Sequence, residues 1–399
     1  MKDALLTEKP TDTCEITPRA VGQIKSGSLW VFANEFVTRM GTLTPGGWVN
    51  FESKGKFVGY GYVNPKSLIA GRICSLAFVE DRKELIRSLI RRANQKRLDS
   101  LRNSGSYRAV FSESDFLPGL IIDIYERTVV VQLNTKGMDE AKGDIISAIS
   151  EIFDPENIVV RADSSIRTLE GAPNFVEIVK GDESSLKNSK VREGNISFAA
   201  DFINGQKTGF FLDQRENRKH LMENSAQKTV LDLCSYSGGW GLSALKGNAS
   251  HVTFVDQSKE ALLLVIKGLE LNQFDKNSAT LVSSDVFDFL SSEPKTFDIV
   301  VCDPPAFVKS KKNLDQAIRG YKKLNLQASM KVKPGGLFYT CSCSFHLSEA
   351  DFELLLKEVF QGSGRLAQVV YRGEQPLDHP WIINRPESRY LKCYCFRLE

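Results

Sequence analysis

The chain has 399 residues, a formal net charge of +3 and eight cysteines, none of them in a Cys-x-x-Cys pair. That length predicts two or three domains with cores that need no metal or disulfide support; cysteines scattered through apolar runs argue for reduced thiols and a cytosolic address, against a zinc site or disulfide framework. The small charge does not by itself announce a nucleic-acid binder, and neither a secretory leader nor an apolar run of bilayer length is present, so secretion and membrane insertion are not expected.

In chain order, residues 1–74 open with a polar stretch through Thr13 and continue, from Ile16 to about Cys74, as short alternating runs punctuated by glycine, such as Trp48-Val49-Asn50-Phe51 and Lys56-Phe57-Val58-Gly59-Tyr60-Gly61-Tyr62. Close spacing and period-two alternation predict a small β-barrel. Residues 75–190 begin with a helix whose apolar positions Leu85, Ile86, Leu89, Ile90 and Ala93 keep helical spacing. That helix also carries Arg82, Lys83, Arg87, Arg91, Arg92, Lys96, Arg97 and Arg102. Its basic face suits either RNA phosphates or plain solvent. Strands at Val110-Phe111, Leu120 to Asp123, Thr128 to Leu133 and Ile158 to Val160, with a helix around Met138 to Phe153, complete a compact α+β domain of the strand-strand-helix-strand-strand kind.

Residues 191–399 alternate strand and helix. Strands are predicted at Thr229–Leu233, His251–Asp256, Ala279–Val282, Phe297–Cys302 and Leu337–Ser344, with helices at Gly241–Lys246 and Lys259–Asn272. Strands apolar throughout imply a parallel sheet covered on both faces. A final pair, Leu366–Tyr371 and Tyr390–Phe396, is expected as an antiparallel hairpin at the sheet edge. The overall class is α/β, with a Rossmann-like C-terminal sheet.

The first of these strands runs into Cys234-Ser235-Tyr236-Ser237-Gly238-Gly239-Trp240-Gly241. Glycines there let backbone approach a ligand at the carboxyl end of a parallel strand, and their spacing is not the G-x-G-x-x-G of a pyrophosphate dinucleotide site. Asp256 ends the second strand, where a carboxylate accepts from ribose hydroxyls. Asp285 follows the third, placed to read an adenine amino group with Val286 against the ring, and Asp303-Pro304-Pro305 follows the fourth. Together these point to S-adenosylmethionine. The fifth strand ends in Cys341-Ser342-Cys343-Ser344, and a thiol beside an Asp-Pro-Pro turn suits methyl transfer to a ring carbon through a covalent adduct. Two positions apart on a strand, Cys341 and Cys343 share a face, so alternation does not choose between them.

With those motifs in place, the chain resembles the 23S ribosomal RNA cytosine-5 methyltransferases over almost its whole length. The resemblance rests on Leu29-Trp30-Val31-Phe32, Glu113-Ser114-Asp115-Phe116-Leu117-Pro118-Gly119, and Gln206-Lys207-Thr208-Gly209-Phe210-Phe211-Leu212-Asp213-Gln214-Arg215. It continues through Asp303-Pro304-Pro305-Ala306-Phe307, Gly320-Tyr321-Lys322 and Ser342-Cys343-Ser344. The resemblance implies a PUA domain, a central α+β domain and a class I methyltransferase domain, with Cys343 as nucleophile. Family members often carry lysine where this chain has Ala306, so that lysine's role is absent, and His346 lies in a stretch that varies among relatives.

The expected cofactor residues are Phe211, Arg215, Ser237, Gly238, Gly239, Asp256, Gln257, Ser258, Asp285, Val286 and Asp303, with no metal. Asp303 is placed either at the cytosine N3/N4 edge or at the methionine amino group, and Phe307 to stack on the base. Lys207 and Arg215 suit a cofactor or phosphate path, or a salt bridge; Tyr321 and Lys322 suit an RNA contact or a solvated helix face. The partner is expected to be RNA, 23S ribosomal RNA foremost, with no membrane, and a homodimer is left open. Two other readings compete: methylation of a guanine nitrogen with the same cofactor, and a non-catalytic RNA-binding or ribosome-assembly factor.

Overall fold

The computed structural model describes residues 13–101, 105–187, 189–307 and 314–399. The chain divides into two compact units, one of residues 1–100, 108–183 and 381–386 and the other of 101–107, 184–380 and 387–399.

In the first unit, five strands order as Thr13–Glu15, Trp48–Ser53, Lys56–Val63, Gly71–Ser75 and Trp30–Val31. The first two run parallel and the remaining neighbours antiparallel. Their inward side chains, including Cys14, Val31, Val49, Phe51, Val63 and Ile73, form one buried cluster with Ile16, Ala20 and Ile24, so alternation along these strands buries one face. Gly61 is required by this packing, because a Cβ there would run into the Arg72 carbonyl of the next strand.

A second sheet orders as Phe175–Lys180, Asn157–Ala162, Thr128–Leu133, Leu120–Tyr125 and Ser106–Phe111. Helices α1 (Arg82–Ser100) and α2 (Lys142–Phe153) accompany it. The apolar stripe of α1 is buried at Ile86, Leu89, Ile90 and Ala93, as its spacing predicts. Its basic residues behave differently from a phosphate-facing surface. Arg82 pairs with Asp144 (2.8 Å), and Arg87 and Arg91 both pair with Glu151 (3.2 and 2.8 Å), all on α2. Arg97 is buried against Asp115 at 2.6 Å, and the Arg92 guanidinium lies 5.7 Å from the Phe116 ring. Arg102 lies outside the described residues. Three of the eight predicted basic residues therefore form an ion-pair seam between two helices of the same unit.

In the second unit, a hairpin of Lys190–Glu193 and Ile196–Ala199 precedes α3 (Arg215–Glu223) and a seven-stranded sheet. The strands are β1 (Thr229–Leu233), β2 (His251–Asp256), β3 (Ala279–Ser283), β4 (Phe297–Cys302), β5 (Val332–Ser342), β6 (Ala367–Gly373) and β7 (Lys392–Leu398). They lie in the order β3-β2-β1-β4-β5-β7-β6, with β1 to β5 mutually parallel and β7 antiparallel to both neighbours. The expected edge hairpin is present as an antiparallel pair, with its second strand inserted beside β5 and its first outermost. Strand β5 starts earlier than its apolar run suggested, because the Lys333-Pro334-Gly335-Gly336 turn is absorbed as an irregularity in its pairing with β4 and Gly335 takes a φ of +74°.

Helices α4 (Gly239–Lys246), α5 (Lys259–Leu271), α6 (Val286–Ser292), α7 (Leu314–Ser329) and α8 (Glu349–Ser363) join the strands. Leu231, Val300, Tyr321, Leu324, Phe338, Phe352 and Leu355 are among one continuous buried cluster that holds α7 and α8 to the sheet. The strand order reverses beside β1, and such a switch point opens a crevice at the carboxyl ends of the strands. Gly241 keeps α4 close to β2, since a Cβ there would strike the Phe254 ring.

Candidate active site

The crevice is a cavity of about 330 Å³. It is walled by the segments that follow β1, β2, β3, β4 and β5, and by residues between Gln206 and Arg218. Its floor is the turn after β1. Cys234 and Tyr236 adopt left-handed φ values of 58° and 47°, and Gly238 follows at 79° as the N-cap of α4. Non-glycine residues hold such conformations only where the surroundings enforce them. Here Asp256 does so, its Oδ2 accepting the Tyr236 N–H at 2.8 Å and its Oδ1 the Ser258 N–H at 2.9 Å. A carboxylate has about four acceptor sites, so Asp256, which lines the cavity, keeps capacity for two hydroxyls.

Asp285 is the N-cap of α6, its Oδ1 accepting from Phe287 N (2.8 Å) and Asp288 N (3.3 Å). Its other oxygen makes no hydrogen bond among the described residues, and Asp285, Val286 and Phe287 all line the cavity. Across from them Phe211 meets Tyr236 edge-on with ring centroids 5.5 Å apart. Ser237, Gly239 and Gln257 complete the predicted set in the wall.

Three of the predicted cofactor residues do other work. Arg215 is outside the cavity wall; its guanidinium binds Asp378 (3.1 Å), the Ser106 carbonyl (2.6 Å) and Glu193 (3.6 Å), so the salt-bridge alternative is the one observed. Ser258 caps α5, accepting the Ala261 N–H at 3.1 Å. Gly238 supplies the left-handed turn rather than wall surface. The two predicted RNA contacts are also engaged elsewhere: Tyr321 is fully buried, and Lys322 pairs with Glu358.

Asp303, just beyond β4, receives two side-chain donors on one oxygen, Trp240 Nε1 at 2.9 Å and Gln214 Nε2 at 3.1 Å. Withdrawal from solvent pushes its carboxyl up to about 6, with Asp213 adding to the rise while Trp240, Lys207 and Arg218 oppose it. Asp213 also lines the cavity and accepts from the Tyr390 hydroxyl at 2.6 Å. Trp240, Gln214, Asp213 and Tyr390 carried no spacing signal, because sheet topology alone brings their segments together.

Cys343 is partly exposed and lines the cavity; Cys341 is fully buried, does not line it, and stands opposite Cys393 in β7. The two differ because β5 ends at Ser342, so alternation no longer applies one residue later. The turn is held from both sides. The Tyr321 hydroxyl lies 3.0 Å from Ser344 Oγ and accepts from Ser342 Oγ at 3.2 Å, while Lys392 Nζ donates to the Ser344 carbonyl at 3.0 Å. Burial pushes the Cys343 thiol above its ordinary value; Lys207 pulls it down, and Asp303 and Asp213 push it up. Phe307 lines the same cavity and packs on Tyr321 at 4.7 Å.

Behind the floor, Asp232 Oδ2 accepts the Gly241 N–H at 2.9 Å and Oδ1 has no hydrogen-bond partner among the described residues. Burial raises this carboxyl to about 8 against the Gly241 bond, so it is chiefly neutral at pH 7. A folded value above the unfolded one means the fold holds a proton the unfolded chain releases, and stability falls as pH rises from about 4 to about 8. Asp232→Asn is expected to flatten this dependence. Its melting temperature should drop less between pH 6 and pH 9 than the parent's, with a difference of up to about 1.4 kcal/mol per pH unit below 8; equal drops would show Asp232 ionised in the fold.

Among the described residues no group of three His, Cys, Asp or Glu side chains is arranged for a metal ion, and no helix is long and apolar enough to cross a membrane. The donor set fits S-adenosylmethionine: a carboxylate for ribose at Asp256, a free carboxylate oxygen beside Val286 and Phe287 for adenine, and aromatic surface from Phe211.

Known proteins agree. Residues 15–76 match a PUA-like domain, and residues 173–397 match the S-adenosylmethionine-dependent methyltransferase family. Ribosomal RNA large subunit methyltransferase I of Vibrio vulnificus is 35% identical over 351 residues, covering 86% of this chain and 88% of that one. The protein of the same name from Vibrio parahaemolyticus is 34% identical over 383 residues, covering 94% and 96%. Two solved structures share the fold at 22% identity, each spanning 97% of this chain and all of the other: a SAM-dependent methyltransferase from Streptococcus mutans with a TM-score of 0.81, and a methyltransferase complexed with SAH with a TM-score of 0.83. With a cavity of this composition on a sheet of this order, the chain belongs to the S-adenosylmethionine-dependent methyltransferase family, carries a PUA-like domain ahead of the catalytic sheet, and takes S-adenosylmethionine as its cofactor.

Proposed function

We propose that this protein methylates carbon 5 of a cytosine in large-subunit ribosomal RNA, through a covalent bond between Cys343 and carbon 6 of the base. The substrate class is carried over from the relatives named for it. The single observation that supports the chemistry is a thiol, Cys343, in the same cavity as Asp303 and the cofactor-binding set. In this reading the bound cofactor supplies an electrophilic methyl group.

The chain's own residues do the rest. Phe211, Tyr236, Ser237, Gly239, Asp256, Gln257, Asp285 and Val286 hold the cofactor along one side of the cavity. Phe307 stacks on a base already unstacked from its RNA neighbours, as ring chemistry inside folded RNA demands. The Cys343 thiolate adds to carbon 6, breaking the ring's aromaticity and moving electron density to carbon 5. A proton drawn from water goes to N3 as that density develops, and the ionised Asp303 carboxylate accepts its hydrogen bond. After carbon 5 is alkylated, water takes its proton, the electron pair left behind re-forms the carbon 5–carbon 6 double bond and expels the thiolate, and the proton on N3 returns to solvent. The work takes place in the cytosol, on ribosomal RNA or an assembling particle.

Methylation of a guanine nitrogen is the second reading, since an Asp-Pro-Pro turn with Phe307 in the same cavity also suits an amine. Bisulfite sequencing of ribosomal RNA from a strain lacking the protein tests the first. One cytosine protected in the parent strain should become convertible; an unchanged pattern would sink it.

A further inference from the structure

The thiol at Cys343 faces an unfavourable environment for ionisation. Burial, Asp303 after β4 and Asp213 before α3 all act against a negative charge there. The other titratable groups around it are Tyr321 of α7, bonded to the flanking Ser342 and Ser344, and Lys392 of β7. A thiolate is the nucleophilic form, so a cation must be found for it.

Each other cation near the cavity is engaged. Arg218 binds both oxygens of Glu193 (2.6 and 3.2 Å) and the Phe211 carbonyl (2.8 Å). Arg215 binds Asp378 outside the cavity wall. Lys392 is buried and donates to the carbonyls of Ser344 (3.0 Å) and Tyr390 (2.8 Å); burial lowers its ammonium to about 8. Lys207 differs. It lines the cavity, its Nζ lies 4.5 Å from the Phe211 ring, and it makes no ion pair among the described residues. Its backbone is held in the left-handed region at φ 50°, next to a turn in which the Tyr236 hydroxyl accepts the Gln206 N–H (3.0 Å) and donates to the Gly209 carbonyl (3.3 Å). A lysine kept in a conformation that L residues rarely adopt, pinned by the cofactor loop, is placed rather than incidental.

We propose that Lys207 is the positioning residue that supplies the counter-charge for the Cys343 thiolate. This rests on reading Cys343 as the nucleophile. Lys207 touches neither the base nor the transferred methyl in this role; it acts through the sulfur.

The test is the rate of Cys343 alkylation by iodoacetamide in the full-length protein, followed by mass spectrometry of the Cys343 peptide from pH 6 to pH 10. Lys207→Met should move the midpoint upward and slow alkylation about tenfold at every pH below it, one tenfold step per unit. Lys207→Arg should restore the parent profile, and the dissociation constant for S-adenosylmethionine, measured by calorimetry, should change less than about threefold. Should Lys207→Met misfold, Lys207→Gln, judged by its melting curve, carries the same expectation. An unchanged alkylation profile would overturn the proposal. If cofactor affinity fell at the same time, Lys207 would be a cofactor ligand; if only RNA affinity fell, a phosphate contact. The carbon-5 reading stands or falls separately, on whether Cys343→Ala still methylates RNA.

Discussion

Cys343→Ala is expected to lose methyl transfer to ribosomal RNA by at least about three orders of magnitude, the scale on which removal of a nucleophile is felt. S-adenosylmethionine should still bind, because the residues placed to hold it, Asp256, Asp285 and Phe211, come from the end of β2, the N-cap of α6 and the segment before α3 and do not depend on the thiol. Cys341→Ala should keep near-parental activity, with a loss of about 1 kcal/mol of stability from a small void in a packed site. Its sulfur is sealed inside the sheet opposite Cys393. Transfer of a labelled methyl group to a ribosomal RNA fragment, with calorimetry on the same variants, gives both readings. A nitrogen methyltransferase needs no thiol, so full activity in Cys343→Ala would move the chemistry from ring carbon to amine, with cofactor and fold untouched.

The central strands of the sheet were readable because they are buried on both faces and therefore mostly apolar, as Ile299 to Cys302 is throughout and Val252 to Val255 is but for Thr253. Acids at their ends marked the cofactor wall for the same reason: a charge at the edge of an apolar run is legible against it. What eluded the sequence was pairing at a distance. Arg215 sits in the most distinctive motif of the chain, yet its charge answers Asp378, more than 150 residues away. Arg82, Arg87 and Arg91 of α1 face Asp144 and Glu151 on α2, and nothing in their own spacing distinguishes an intramolecular partner from a phosphate. Trp240 and Gln214 are likewise invisible as a pair until the first turn of α4 and the N-cap of α3 bring both to the same oxygen of Asp303. That Cys343 lines the cavity and Cys341 does not depends on where β5 stops, and strand ends are the least predictable feature of a pattern whose period is two.

Asp303→Asn is the second large effect. A carboxylate that holds the ring proton while carbon 5 becomes nucleophilic works only when ionised, and loss of such a group typically lowers turnover about 10²- to 10⁴-fold. The amide keeps the shape, and affinity for S-adenosylmethionine should hold. The parent enzyme should also lose kcat/KM as pH falls through about 6, the value to which burial raises this acid. The sign follows from the same shift: with the folded value above the unfolded one, ionising Asp303 weakens the fold between about pH 4 and 6, so the charge is kept at a cost to stability. Trp240 and Gln214 reduce that cost by donating to Oδ2. Trp240→Phe removes the shorter of the two bonds, which favours the charged form, and should therefore move the acid limb of the pH profile upward. If Asp303 instead binds the methionine amino group, Asp303→Asn would raise the cofactor dissociation constant, and the acid limb that Trp240→Phe moves would be that of cofactor affinity rather than of turnover. Rapid-quench turnover and calorimetry on the two variants separate these outcomes, because one role acts on the reacting base and the other on the cofactor before any RNA is present.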